Sequence, residues 1–251
     1  MPYPSGVPER TRGAAPSSRA HPHARRHALT AVAVFLLALA LSALWEVAAW
    51  HRWLDPFFWS KPSAILFQLG SWWREGTPHG TLLAQAGVTL GEAALGLALG
   101  SAVGSLLGAA CARQALANDV LRVVLAVLTF PLRIALGAAL AIGLGLGVGS
   151  KIVFAATLVA LVAAGDALAG RHALTSLRVR FALALAGAVV GEVFMAQRGL
   201  GLLLDESIHH FNANGVYAAL IVLGIVALVG DLLLAHLERR HAQREAARTS
   251  D

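Results

Sequence analysis

The chain has 251 residues, of which 57% are hydrophobic and only 14% are charged, and its mean hydropathy is +0.66. One soluble core could not bury this much apolar surface, so a lipid bilayer must be part of the solvent of the folded chain. The formal charge of +6 could indicate nucleic acid binding, but most basic residues are arginines that stand between or beside apolar runs. This distribution is typical of membrane topology and argues against a nucleic acid partner.

Six continuously apolar stretches approach or reach the roughly 20 residues that a helix needs to cross the hydrocarbon core. They lie at 28–49, 82–112, 120–146, 152–168, 177–196 and 216–237. The runs are rich in Leu and Ala and do not alternate as the strands of a transmembrane barrel would. The sequence therefore predicts an all-α, polytopic bundle of about six transmembrane helices.

The two ends of the chain differ from this apolar domain. Residues 1–27 are rich in Pro, Ser, Ala, Arg and His and have no apolar periodicity, so we expect a disordered basic tail. A membrane domain over 28–237 and a basic tail over 238–251 follow. The first apolar run could instead belong to a cleaved signal peptide, but the region before it is long for one, which favours an uncleaved helix.

Basic residues indicate the orientation of the bundle, because loops rich in Lys and Arg stay in the cytoplasm. With a cytoplasmic N-terminus, fourteen of the 20 Lys and Arg residues flank the spans on the inner side. Five fall on the outer side, among them Lys151, and Arg133 lies within the third span. Both termini are therefore predicted to be cytoplasmic.

All six tryptophans fall between residues 45 and 73, at the end of the first span and in the outer loop after it. Indole rings prefer the headgroup zone of a bilayer. We therefore expect this loop to lie against membrane lipid, partly as an amphipathic helix around 64–73. An aromatic cage for a ligand is the alternative.

The second span carries a stripe of glycines at every fourth position, which lets another backbone approach closely. The stripe consists of Gly96, Gly100, Gly104 and Gly108. It predicts a helix-packing surface, but the spacing leaves open whether the partner is a helix of the same chain or of a second subunit.

No motif indicates a catalytic site, a metal centre or a cofactor on this chain. The histidines cluster mainly in the tails, and neither paired cysteines nor a His-Glu-x-x-His pattern occurs. The run from Gly145 to Lys151 lacks the Gly-Lys-Ser/Thr end of a phosphate-binding loop, so the chain should not bind ATP. The sequence thus favours a protein that is not itself an enzyme.

Ionisable residues within the spans are candidate functional positions, because a charge near the bilayer centre is costly. Arg133 and Glu192 lie deepest and carry opposite charges, so they could line a polar path, pair with one another or serve only the structure. Pro131 should kink or break the third span, and broken helices often border translocation paths. Four further carboxylates lie nearer the span ends or on the second span: Glu46, Glu92, Asp166 and Asp231.

Several short motifs, in order along residues 35–240, resemble the permease subunit of bacterial ABC importers. The branch is that of nitrate, sulfonate, taurine and bicarbonate importers in the binding-protein-dependent transport family. The motifs are Trp45-Glu46, Pro62-Ser63, Thr89-Leu90, Ala94 to Gly96, Leu99-Gly100, Phe130-Pro131, Gly147 to Ile152, Ala186 to Glu192, Arg198 to Gly201, Asp231 and Leu237 to Arg240.

The resemblance implies a homodimer of permeases in the bacterial inner membrane that forms a path for a small anion. It also implies two cytoplasmic ATPase subunits, which bind the ATP, and an extracytoplasmic solute-binding protein. Transport would proceed by alternating access.

One departure concerns the connection between the fourth and fifth spans. The family carries a coupling helix there that docks on the ATPase, whereas this chain has only the eight residues 169–176. Eight residues that reverse the chain cannot also present a helix of two or three turns. The chain could dock instead through the stretch from Arg171 to Arg180, with Arg171, His172 and Arg178 as the candidate contacts, or through the basic tails. Alternatively, it is a degenerate permease or a membrane scaffold that does not couple to an ATPase.

Overall fold

A computed structural model of the protein describes residues 22–55, 57–128, 130–145, 147–171, 176–195 and 198–248. These residues form helices and no strand, which confirms the predicted all-α class. The chain divides into two compact units, Met1–Trp45 and Glu46–Asp251, and the structure describes the first unit from the start of α1. The helices are α1 (Pro22–Trp50), α2 (Pro62–Arg74), α3 (Leu82–Ala112), α4 (Ala115–Val127), α5 (Phe130–Gly143), α6 (Val148–Leu168), α7 (Leu177–Met195), α8 (Leu200–His209) and α9 (Ala213–Arg248).

Four of the described helices are long and apolar enough to cross a bilayer. They are α1, α3, α6 and α9, which contain the first, second, fourth and sixth predicted spans. The fifth predicted span is α7, which carries Arg178, Arg180 and Glu192 and is not among the four. Its 19 residues would extend about 28 Å, close to the thickness of the hydrocarbon core.

The third predicted span is two helices rather than one. Helix α4 ends at Val127 and α5 begins at Phe130, so the predicted break is present and lies just before Pro131. Their 13 and 14 residues extend about 20 Å each, too short to cross the bilayer singly. Pro131 is the second residue of α5. The N–H of a residue at this position has no acceptor within the helix, so a proline there removes no intrahelical hydrogen bond.

Helices α3 and α6 make the most extensive contact between helices in the second unit. The glycine stripe lies in this contact: a Cβ built on Gly96 would be 2.6 Å from the Cβ of Ala155. A Cβ built on Gly104 would be 2.7 Å from the Cα of Ala160. Because no side chain fits there, the two backbones approach as closely as glycine permits. The helix that packs on the stripe belongs to the same chain.

Small residues lie where α3, α6 and α7 meet, and large aliphatic residues cover the opposite side of α3. Ala93, Val159 and Ala188 are fully buried where α3, α6 and α7 meet. On the other side of α3, Leu99 and Leu106 are exposed. In water this distribution would be unfavourable, but in lipid, association of helices depends on close packing rather than on burying apolar surface. The arrangement fits a bundle that spans a membrane.

The predicted amphipathic helix of the outer loop is α2, which packs on α9. Its N-terminus is capped by Glu46, whose carboxylate accepts hydrogen bonds from the backbone N–H of Ser63 at 3.0 Å and from its hydroxyl at 2.8 Å. A negative charge at a helix N-terminus is favourable. Glu46, which the sequence placed near the end of the first span, therefore holds the start of α2.

Candidate functional site

A cavity of about 960 Å³ opens between the adjoining ends of α3, α6, α7 and α8. This volume is within the range of small-molecule sites. Four of its lining side chains are charged, namely Glu92, Lys151, Arg198 and Asp205, and the rest are apolar residues or glycines. These uncharged lining residues are Gly87, Val88, Gly91, Leu95, Gly147, Val148, Val193, Phe194 and Leu202.

Glu92 of α3 and Lys151 of α6 form an ion pair in the cavity wall, between the Lys151 ammonium and Oε1 of Glu92. The two residues are only 4% and 3% exposed. Removing either charge would leave the other uncompensated in a buried place, which costs several kcal/mol, typically about 3–5. The sequence predicts that Lys151 lies on the outer side, just before the fourth span; in the structure it is buried in the first turn of α6. The pair thus joins α3 to α6 beside the first glycines of the stripe.

Glu192 lies behind the cavity and is fully buried. Its Oε1 accepts a hydrogen bond from the hydroxyl of Thr89 at 2.7 Å, and its Oε2 accepts one from the backbone N–H of Gly201 at 2.7 Å. The Thr89 hydroxyl in turn accepts a hydrogen bond from the N–H of Leu200 at 2.9 Å. Two first-turn N–H groups of α8 therefore find acceptors on α3 and α7.

Gln85 continues this network one helical turn earlier on α3. Its amide oxygen accepts a hydrogen bond from the N–H of Gly199 at 2.7 Å, and its amide nitrogen donates to the carbonyl of His79 at 2.7 Å. Gly199 has a φ of +124°, and a Cβ there would overlap the carboxylate of Glu192. Only glycine satisfies both conditions. The network fixes the start of α8 against α3 and α7.

The remaining charged groups of the cavity are more exposed. Arg198 precedes the Gly-Leu-Gly turn into α8 and is exposed, and no carboxylate pairs with it among the residues that the structure describes. Asp205 lies on α8 and contacts His209, with 3.3 Å between Oδ1 and Nδ1. One wall thus carries a buried ion pair and the other carries an exposed arginine and an aspartate.

The three predicted path residues are not all brought to this cavity. Glu192 supports it from behind, and Pro131 is exposed at the start of α5. Arg133 also lies in α5, but its side chain is outside the part that the structure describes. Both oxygens of Glu192 have donors other than Arg133, and a pairing of Arg133 with Glu192 stays a prediction.

The residues predicted to contact an ATPase lie around the α6–α7 connection. Helix α6 ends at Leu168 and α7 begins at Leu177, so the connection has the eight residues expected. Arg171 is exposed and its Nη1 is 3.6 Å from Oδ1 of Asp166. Arg178 pairs with Asp231, with 2.6 Å between Nε and Oδ1. His172 lies outside the described residues.

Asp166 holds this connection from the last turn of α6. Its Oδ2 accepts hydrogen bonds from the Ser176 hydroxyl at 2.5 Å and from Nη2 of Arg180 at 3.0 Å. Arg180 is 1% exposed and Asp166 is 6% exposed, so the pair is buried. The end of α6 and the start of α7 are therefore fastened directly to each other.

The sequence indicated Glu92 only as a secondary candidate for a functional position. It did not indicate Lys151, Gln85 or Thr89 as site residues. A usable signal was the pair of opposite charges, Glu92 and Lys151, on or beside two spans that also carry small residues. The described residues contain no group of three His, Cys, Asp or Glu side chains placed to hold a metal ion.

Comparison with known proteins gives one match. Residues 168–243 match the profile of the family described as the binding-protein-dependent transport system inner membrane component. No curated protein and no solved structure matches the chain. The matched segment contains the α6–α7 connection, α7 with Glu192, α8 and most of α9. The similarity to this family of membrane transport components lies in that segment, and the apolar helices are those of a multi-pass membrane protein.

Proposed function

We propose that this chain is the membrane-spanning permease subunit of an ABC importer for a small anionic solute, and that two copies form the translocation path. The observation that carries the proposal is the family match over residues 168–243, which include Glu192 and the start of α8 beside the charged cavity. The match does not favour the alternative of a degenerate permease or scaffold. ATP hydrolysis would take place on separate cytoplasmic subunits, and a solute-binding protein outside would deliver the solute.

The α6–α7 connection bears on how the ATPase docks. Its eight residues leave no room for a coupling helix, and Asp166 fastens both ends of the connection to each other. We therefore infer that the ATPase docks on cations at this end of the bundle. Arg171, His172 and Arg178 are the candidates, and Arg171 is the most open of those described, with 68% of its side chain exposed.

Co-purification tests this proposal. After gentle solubilisation, purification of a tagged chain should also recover ABC-type ATPase subunits. These are identified by the phosphate-binding loop in their sequence. Arg171→Glu should weaken this retention, because reversing the charge of a cation at the contact would turn electrostatic attraction into repulsion. Arg74→Glu is the matched control, since Arg74 is an exposed arginine of α2 at the predicted outer face. Solute-stimulated ATP hydrolysis in liposomes should follow for the wild-type complex, and retention of no ATPase under any condition would refute the proposal.

A further inference from the structure

Helix α4 presents an apolar face that is open in the structure. Although α4 packs on α3 and α6, none of its residues is buried. The α4 apolar face consists of Leu116, Val120, Val123 and Val127, which recur every third or fourth residue and are each at least 55% exposed. In a membrane bundle such a face lies against lipid acyl chains, and α4 is too short to cross the bilayer by itself.

An exposed arginine, Arg122, borders the α4 apolar face. Its Nε donates to Oδ1 of Asn118 at 2.6 Å, and its Nη2 donates to the carbonyl of Leu168, the last residue of α6, at 3.5 Å. Both acceptors are uncharged. Asp119 lies one turn earlier on α4, but no carboxylate pairs with Arg122 in the part of the chain that the structure describes. A guanidinium has five N–H donors, so Arg122 keeps donors for an anion.

The two arginines in the first turn of α7 differ from Arg122 in that each has a carboxylate partner. Arg178 pairs with Asp231, and Arg180 pairs with Asp166. The charges of these two pairs cancel, whereas the charge of Arg122 is not cancelled by a described neighbour. A cation beside an apolar run is unfavourable unless a group of opposite charge or water satisfies it. An anionic ligand at Arg122 would supply that charge.

The place of Arg122 on α4 indicates what kind of molecule carries the anion. The guanidinium reaches the carbonyl end of α6, and Val123 and Val127 continue the apolar face from there into the third predicted span. A phospholipid has the same order of parts, with a phosphate at the interface and acyl chains that run inward. Arginine suits phosphate oxygens, and basic sites between transmembrane helices bind anionic headgroups. A free anion would match the cation but not the apolar face.

We propose that Arg122 and the α4 apolar face form a binding site for one anionic phospholipid of the inner leaflet, such as phosphatidylglycerol. The phosphate contacts the N–H groups of Arg122 that the protein does not use, and an acyl chain lies along Val123 and Val127. The bound lipid thereby holds α4, which has no buried residue of its own, against the bundle. This site lies apart from the charged cavity, and it requires neither an ATPase nor a transported solute.

Native mass spectrometry of the full chain in detergent measures this binding. The chain is mixed with equal amounts of phosphatidylglycerol and phosphatidylcholine that carry the same acyl chains, and the bound lipids are counted. We expect the wild type to retain more phosphatidylglycerol, because the phosphatidylcholine headgroup has no net charge. Arg122→Gln should reduce this preference by roughly fivefold, the effect typical of one arginine near an anionic lipid surface. Equal retention of the two lipids by the wild type would overturn the proposal.

Two further variants separate the charge of Arg122 from general effects. Arg122→Lys keeps the cation and should keep most of the preference. Arg74→Gln is the matched control, because it removes an exposed arginine from α2 and should leave the preference unchanged. An unchanged preference in Arg122→Gln, or an equal loss in Arg74→Gln, would refute the site.

Thermal unfolding in the same detergent guards against misfolded variants. Phosphatidylglycerol should raise the unfolding midpoint of the wild type and of Arg122→Lys, but it should raise that of Arg122→Gln much less. Glycerophosphoglycerol, which has the same headgroup without acyl chains, should not displace the bound lipid at equal concentration. Displacement would assign Arg122 to a free anion and would overturn the lipid site. Because no readout depends on an ATPase, failure of this inference leaves the proposed function standing.

Discussion

The hydroxyl of Thr89 lies between two elements, donating to Oε1 of Glu192 at 2.7 Å and accepting from the N–H of Leu200 at 2.9 Å. One side chain of α3 thereby links α7 to the first turn of α8. All three residues are fully buried. In this place a lost hydrogen bond is not replaced by one to water, so each bond matters more than it would at the surface.

Thr89→Val should loosen the start of α8. The substitution keeps the shape of the side chain but leaves the N–H of Leu200 and Oε1 of Glu192 without their partner. We expect a loss of about 1–3 kcal/mol in the free energy of unfolding, the usual cost of a buried unsatisfied polar group. Hydrogen exchange measured by mass spectrometry should show faster exchange at the first amides of α8. Thr157→Val is the control, because the Thr157 hydroxyl donates to the carbonyl of Val153 in its own helix. Equal exchange in both variants would contradict the prediction.

Gly104→Ala should destabilise the contact between α3 and α6. The added methyl group would lie 2.7 Å from the Cα of Ala160, so the helices must separate, at a cost of about 1–3 kcal/mol or more. The control is Gly91→Ala on the same helix, where a Cβ meets no other atom within 4 Å. That variant should be neutral or slightly more stable, because alanine favours a helix over glycine. Thermal unfolding in detergent measures both, and equal midpoints would argue against close α3–α6 packing.

Asp166→Asn should weaken the join between α6 and α7. Arg180 is 1% exposed and would lose its charged partner, and breaking a buried pair in this way typically costs about 3–5 kcal/mol. The unfolding midpoint should fall, and limited proteolysis should cut sooner within residues 169–176. Asp231→Asn is the comparison, because it removes the partner of Arg178 in a more exposed pair. Its effect should be much smaller, and the reverse order of the two variants would contradict the structure.

Reporter fusions at the connections between helices should give the topology in which both termini are cytoplasmic. Alkaline phosphatase joined after Gly80 should be active, because that position follows α2 at the predicted outer face. The same enzyme joined after Gln114 or after Arg171 should be inactive, since both lie among the basic inner flanks. A green fluorescent reporter at these positions should give the opposite pattern. Active phosphatase after Arg171 would overturn the orientation on which the docking surface depends.

The sequence was sufficient for those features that depend on neighbours along the chain. The apolar runs predicted the helices, the tryptophan-rich loop predicted α2, and Pro131 predicted a break in the third span. Each of these follows from local rules: the length of an apolar run, the preference of indole for the interface, and the missing N–H of proline. The length of the α6–α7 connection, eight residues, could also be predicted, because it is the number of residues between two apolar runs.

The sequence left open the contacts between residues far apart in the chain, and only the tertiary structure decided them. For Glu192 the sequence left open a polar path, a pairing with Arg133 or a purely structural role, and in the structure its hydrogen bonds are to Thr89 and Gly201. The glycine stripe gave no indication of which helix it meets, and the structure places it against α6.

The pairing of Glu92 with Lys151 was unforeseen for the same physical reason. In lipid, apolar side chains fit any neighbour equally well, so hydrophobic patterning identifies spans but not their partners. Which helices meet depends instead on where small residues allow close approach and where polar groups satisfy one another. The composition of the chain thus determined that it forms a membrane bundle. Packing between the helices determined its cavity and the arrangement of its charges.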